Sequence, residues 1–274
     1  MNNQAMPFAK LPDKSTFAGL QLVMLDCYGT VAEIWTENTP PEHHVWRTLS
    51  TFMSYHNAVN YTSEALCHAF FAAKDHEKVV GRERACGEPF DIEERNVFAS
   101  LLHSDDENLI QTVAEIFRAS STRKRCCPYL GAIEFLKAAR RNGLKTSLAS
   151  NAQSIFTVPE LKATGLAECF DFIGISSSTF FRKPSPKFFQ FILDHFGVSP
   201  SQALMVGNHD GDDMKTSHAM GLRTCYLNSN QSPEDAEPPS SEIYDMYFDY
   251  PKDENAPESF YPFFRLKEFM FGSN

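Results

Sequence analysis

The sequence predicts an α/β fold, a doubly wound parallel sheet with a helical domain inserted after the first strand. Three observations predict it. Short, nearly continuous apolar runs recur at Leu20–Leu25, Leu144–Ala149, Phe170–Ile175, Ala203–Val206 and Leu222–Leu227, the pattern of strands buried on both faces. Helical patterns closed by glycine separate the later runs, and strand–helix alternation at this spacing builds a parallel sheet with helices on both faces. The stretch 41–125 has no strand-like run and carries four helical patterns instead.

Taken in order, the first run ends at Asp26, with a turn signal at Gly29. The insertion follows, with helices expected at about 41–59, 63–80, 91–103 and 106–120; Asp91 and Glu94 have capping-pair spacing for the third. Beyond it, a helix over Gly131–Asn142 stops at Gly143 and one over Pro159–Thr164 stops at Gly165. Ser185-Pro186 opens another, with Ser as N-cap and Pro in the first turn, and Gly197 closes it. The segment from Asn228 to Glu242 is rich in Pro, Ser and acids; Met246–Tyr250 then reads as an edge strand and Phe260–Phe271 as a helix packed by its aromatics. The expected organisation is a core domain of residues 1–40 and 126–274 and a helical domain of residues 41–125.

The chain has 274 residues, and its 24 phenylalanines predict an aromatic core. The net charge is −10, much of it from residues 229–260, where nine acidic side chains face Lys252 alone. An acidic chain gains nothing from counterion release, so nucleic acid is not an expected partner. The basic run Arg123-Lys124-Arg125 is too short to change this and reads as a solvated loop. Seven cysteines without a CxxC pair suit a reducing compartment. No signal-like apolar run opens the chain and none is long enough to span a bilayer, so the expectation is a cytoplasmic protein without a membrane partner.

Ligands of doubly wound sheets bind outside the carboxyl ends of the strands. There the sequence places Asp26-Cys27-Tyr28-Gly29-Thr30, Ser150-Asn151, Arg182-Lys183-Pro184-Ser185-Pro186, and Gly207-Asn208-His209-Asp210-Gly211-Asp212-Asp213. A carboxylate, hydroxyls, an amine and an acidic loop are thereby brought toward one crevice. In this order, with a helical insertion after the first, the four stretches resemble the motifs of the haloacid dehalogenase-like hydrolase superfamily over roughly Leu20 to Leu227. The resemblance implies a Rossmann-like core with a helical cap and Asp26 as a covalent nucleophile. It implies that Thr30 and Ser150 donate to the anionic group of a small substrate, with Asn151 beside them, and that Lys183 neutralises charge on Asp26 and the transferring group. It also implies a magnesium ion held by Asp26, Tyr28, Asn208 and Asp213. Acids at the start of a helix also suit its dipole without any ligand, and His209 reads as a structural neighbour of the acidic loop.

Two features divide the expected activity. Phosphatases of this superfamily place a second aspartate two positions after the nucleophile as a general acid; this chain has Tyr28, and Asp-x-Tyr-Gly-Thr is similar to the 2-haloacid dehalogenases. Those enzymes cradle the halide with an arginine soon after the motif, for which Arg47 is the candidate, and carry a tyrosine where this chain has Phe189. The acidic fourth motif is closer to the metal-binding phosphatases, although Asn208 stands at its first acid. The leading expectation is a magnesium-dependent phosphatase; the alternatives are a 2-haloacid dehalogenase and a non-catalytic binding protein with the same fold. Trp35, His43, His44, Trp46 and Arg47, near the entry to the insertion, are the specificity candidates, and aromatics on helices more often serve the core.

Overall fold

A computed structural model describes residues 6–56 and 58–272; Asn57, within the expected 41–59 helix, lies outside them. In chain order the elements are β1 (Ala9–Lys10), β2 (Leu22–Leu25), β3 (Ala32–Thr36), α1 (His44–Tyr55), α2 (Ser63–Ala85), α3 (Glu94–Leu102), α4 (Glu107–Ser120), β4 (Thr122–Pro128), α5 (Ala132–Arg141), β5 (Lys145–Ser150), α6 (Ser154–Ala163), β6 (Phe172–Ile175), α7 (Ser176–Thr179), α8 (Pro186–Phe196), β7 (Ala203–Gly207), α9 (Thr216–Ala219), β8 (Arg223–Asn228), β9 (Met246–Asp249) and α10 (Pro262–Phe271).

Seven strands form the main sheet in the order β1-β9-β8-β7-β2-β5-β6, all parallel except the short β1, which runs against β9. The chain leaves β2 toward β5 and β6 on one side and toward β7, β8 and β9 on the other, so β2 is where the strand order reverses. A crevice opens at such a point, outside the carboxyl ends of the strands. The sequence of β2, Leu-Val-Met-Leu, is buried throughout. Its alternate residues serve opposite faces: Val23 and Leu25 pack with Phe135 of α5 and Leu266 of α10, and Leu22 and Met24 pack with Phe188 and Ile192 of α8.

The helices α1 to α4 enclose a cluster of their own, built on Trp46, Phe70, Phe98 and Phe117 and extended by Ile155 and Phe156 of α6. Trp46 is fully buried, as its helical spacing suggested, and its indole N–H donates to the Pro40 carbonyl at 2.9 Å. Helix α6 starts earlier than expected, so Pro159 falls inside it. Proline has no N–H for the carbonyl four residues back. The Gln111 side chain of α4 takes that place, donating to the Ile155 carbonyl at 3.0 Å.

Several sequence-based expectations need correction. Arg123-Lys124-Arg125 belongs to a strand, because β4 pairs antiparallel with β3 in a separate two-stranded sheet, where Lys124 meets the buried carboxylate of Glu33. Its polar sequence hid a ladder whose side chains remain largely exposed. Asp91 does not cap α3; the N-cap is Glu93, and Asp91 turns instead toward Ser176 and Arg182. Strand β9 is not at the sheet edge, since β1 covers it. Among the described residues no helix is long and apolar enough to cross a membrane.

Phe98 is fully buried, with the rings of Phe70 and Phe117 each at 5.7 Å and that of Phe156 at 6.0 Å. Phe98→Ala is expected to lower stability by about 3–5 kcal/mol, read from equilibrium urea denaturation followed by tryptophan fluorescence.

Candidate active site

The carboxyl ends of β2 and β7 lie side by side, and Asp26, the first residue beyond β2, still donates its backbone N–H to Val206 at 2.9 Å. Lys183, after β6 and just before α8, reaches across to it. Its Nζ donates to Asp26 Oδ1 at 2.7 Å and to Asp213 Oδ1, with the lysine side chain 2% exposed. Burial alone would lower the Lys183 ammonium, but the facing Asp213 and Asp26 carboxylates more than reverse this and hold it above the ordinary lysine value. Burial raises the Asp213 carboxyl, with Lys183 and the His209 backbone N–H opposing. Asp213 Oδ2 accepts from the backbone N–H groups of Asn208 at 3.1 Å and His209 at 3.0 Å. That approach needs glycine at 207, where a β-carbon would lie 2.3 Å from Asp213 Oδ2.

Asn151 fixes the lysine loop from the end of β5. Its side-chain oxygen accepts the Lys183 N–H at 2.8 Å, and its amide donates to the Lys183 carbonyl at 2.9 Å and to Asp212 Oδ2 at 3.1 Å. Asn151 thus holds the lysine backbone as well as facing the crevice. Ser150 is buried at the strand end beside it. Thr30 donates to Asn208 Oδ1 at 3.2 Å, and Asn208 Nδ2 donates to the Gln231 carbonyl at 3.1 Å. These partners fix the amide's orientation, since a flipped amide would set its oxygen against a carbonyl. His209 has the structural place expected of it: its ring Nδ1 accepts from the Asp212 N–H at 3.1 Å and caps the wide π-type turn Asp210–Lys215.

Tyr28 turns its hydroxyl away from a proton-donor role. The phenol bonds to Thr157 Oγ1 at 2.9 Å and donates to the Glu160 carboxylate, both on α6. Arg118 of α4 closes the group, donating through Nε to Glu160 Oε1 at 2.7 Å. Burial, with the Glu160 carboxylate beside it, pushes the phenol well above the ordinary tyrosine value. A weak acid is thereby made weaker. Sequence reasoning missed Thr157, Glu160 and Arg118, because no motif marks residues that meet only through the fold.

A cavity of about 1010 Å³ opens beside Tyr28 and Asn151, walled by Phe71, Lys74, Glu94 and Arg118 from the helical insertion. Arg47 is not part of it; it is exposed on α1. The other entry candidates are absent from the lining too. Trp46 is core; Trp35 is 43% exposed, with its indole on Glu33; and His43 caps α1 and pairs with Glu37. The register of α1 turns these side chains elsewhere, and α2 and α4 supply the cavity's cations.

A profile described as haloacid dehalogenase-like hydrolase matches residues 60–227, more than half of the chain. The chain belongs to this family. The match takes in Ser150, Lys183 and Asp213 and begins beyond Asp26. The chain is 35% identical over 115 residues to a phosphoserine phosphatase of Thermus thermophilus, covering 42% of this chain and 46% of that protein. It is 33% identical over 126 residues to the pyrimidine 5′-nucleotidase YjjG of Escherichia coli, covering 46% of this chain and 52% of that protein. The chain thus spans about half the length of the curated relatives it matches. A solved defluorinating L-2-haloacid dehalogenase aligns with a TM-score of 0.49 at 17% identity, covering 88% of this chain and 95% of that one.

The site offers magnesium few ligands. Among the described residues no group of three His, Cys, Asp or Glu side chains is arranged to hold a metal. Asn208 supplies a neutral oxygen, shared with Thr30, where an acid was expected, and Asp213 already has partners on both oxygens. Two carboxylates nonetheless share one ammonium, which leaves an excess negative charge at the strand ends. The donor set therefore fits a weakly held ion that keeps most of its waters, with Asp26 and Asn208 as its protein contacts. A methyl group at 207 would break the Asp213 arrangement without touching a substrate. Gly207→Ala is expected to lower turnover on the order of 100-fold while the circular dichroism spectrum stays native; steady-state kinetics on any substrate it accepts checks this.

Proposed function

We propose that this hydrolase cleaves small phosphate monoesters through a covalent aspartyl phosphate on Asp26, with magnesium as cofactor. The observation that carries the reading is the buried Lys183 ammonium, 2.7 Å from Asp26 Oδ1 and also bonded to Asp213. It holds the Asp26 carboxylate in place and lowers its repulsion for an anionic ester. One Asp26 oxygen forms a bond to phosphorus as the ester P–O bond breaks and the alcohol oxygen leaves with a proton from solvent. Water then attacks the same phosphorus, releasing inorganic phosphate and restoring the carboxylate. Asp26 and Asn208 would hold the magnesium ion, which would supply further neutralisation of the phosphate oxygens. Ser150 donates its hydroxyl to the phosphate, and Thr30 and Asn151 hold the neighbouring loops in register.

Residues 41–125 serve as a cap over the core of residues 1–40 and 126–274, closing the cavity around the leaving group. Phosphatase-named relatives, among them the phosphoserine phosphatase of Thermus thermophilus, support phosphate esters over haloacids. The dehalogenase reading is favoured by Tyr28 alone, since a halide leaves without a proton.

The test is release of p-nitrophenol from p-nitrophenyl phosphate, with magnesium and with chelator, beside Asp26→Asn. Magnesium-dependent turnover that is lost in the variant is expected. No turnover by the native protein, with chloride released from 2-chloropropionate, would replace this reading with the dehalogenase one. Because Tyr28 is a poor acid, turnover is also expected to fall steeply as the leaving group becomes more basic, from p-nitrophenyl to phenyl to alkyl esters.

A further inference from the structure

Every cation that lines the cavity already has a carboxylate. Lys74 is bound to Glu94, and Arg118 to Glu160 at 2.7 Å. The remaining charged lining residue is acidic: Glu37, held by His43 at 3.1 Å and Arg123 at 3.4 Å. The Lys183 site, joined to the cavity lining through Asn151, has two carboxylates for one ammonium. A second anionic group on a substrate would therefore find no unpaired cation among the described lining residues, and burying a charge without a partner is costly.

The walls offer something else. Phe70, Phe71, Phe117 and Phe156 line the same space, with Lys74 Nζ 5.7 Å from the Phe70 ring and the Arg118 guanidinium 5.3 Å from the Phe156 ring. Phe70, Phe117 and Phe156 are anchored in the helical cluster, while Phe71, edge-on to Trp46 and Phe70, stands 42% exposed at the cavity and offers a ring surface to a ligand. Aromatic edges and faces favour a ring by offset or edge-to-face contact.

Resting on the phosphatase reading, we infer that the cavity selects phosphate monoesters whose leaving group is a neutral, ring-bearing alcohol and rejects those whose leaving group carries a carboxylate. Phe71 contributes the ring contact. Glu94, by neutralising Lys74, contributes the rejection; both are specificity-determining residues that leave the phosphate to the Asp26 site.

Benzyl phosphate and 2-phosphoglycolate separate these terms, because both are esters of a primary alcohol, one with a ring and the other with a carboxylate. Steady-state phosphate release by the full chain with magnesium is expected to give a kcat/KM about tenfold or more higher for benzyl phosphate, carried by KM. Phe71→Ala, at a half-exposed position, is expected to raise KM for benzyl phosphate. Glu94→Gln is expected to lower KM for 2-phosphoglycolate by freeing Lys74. A native protein that hydrolyses 2-phosphoglycolate as well as or better than benzyl phosphate would overturn the inference and leave the phosphatase reading standing. Variants that leave the native ratio of KM values unmoved would overturn the roles of Phe71 and Glu94. Failure to release phosphate from either ester or from p-nitrophenyl phosphate would remove both inference and reading together.

Discussion

The interaction on which the rest of the structure depends is the buried ammonium of Lys183 held between Asp26 and Asp213. An unpaired lysine or carboxylate at this depth would be expensive, and removing any one partner leaves a stranded charge. The three residues come from the ends of different strands, so the pairing locks separate loops into one arrangement. Much of the surrounding chemistry serves it. Asn151 grips both backbone groups of Lys183, the N–H groups of Asn208 and His209 hold the far oxygen of Asp213, and Gly207 leaves room for that approach.

The helical insertion is tied to the same loops. The Ser185 hydroxyl donates to Glu88 at 2.6 Å, the Asp91 N–H donates to the Phe180 carbonyl at 2.9 Å, and Arg182 spans Asp91 and Asp212. On the other side, Tyr28, Glu160 and Arg118 join the loop after β2, α6 and α4. A residue that resembles a catalytic element of the first motif is thus engaged in holding the helices to the core. In the proposed reaction that engagement would leave the departing alcohol without a proton from Tyr28, and the aromatic, charge-balanced cavity beside Tyr28 would act on the same leaving group.

Much of the fold was legible because the parallel strands are buried on both faces. Continuous apolar runs followed by a carboxylate, a hydroxyl or a glycine mark strands and their ends together, so Asp26, Ser150, Lys183 and Asp213 were visible as a set. Less visible were elements whose stability comes from pairing. Strand β4 reads as a charged loop because its lysine and arginines face solvent, and α6 seemed to begin at Pro159 because nothing local reveals Gln111 satisfying the Ile155 carbonyl. Closeness in sequence to the first motif makes Arg47 the candidate halide cradle; in the fold Arg118, far along the chain, is the arginine that reaches Tyr28.

The sequence by itself determined the α/β class, the position of the insertion and the residues at the strand ends, because periodicity and turn chemistry are local properties of the chain. Tertiary structure alone decided what those residues meet. It gave the Tyr28 phenol to Glu160, left Arg47 in solvent, turned the Asn208 amide toward Thr30 and paired each cavity cation with an acid. Such pairings join side chains distant in sequence, and which of them form is set by how helices and strand ends pack, where desolvation makes each unmatched group costly.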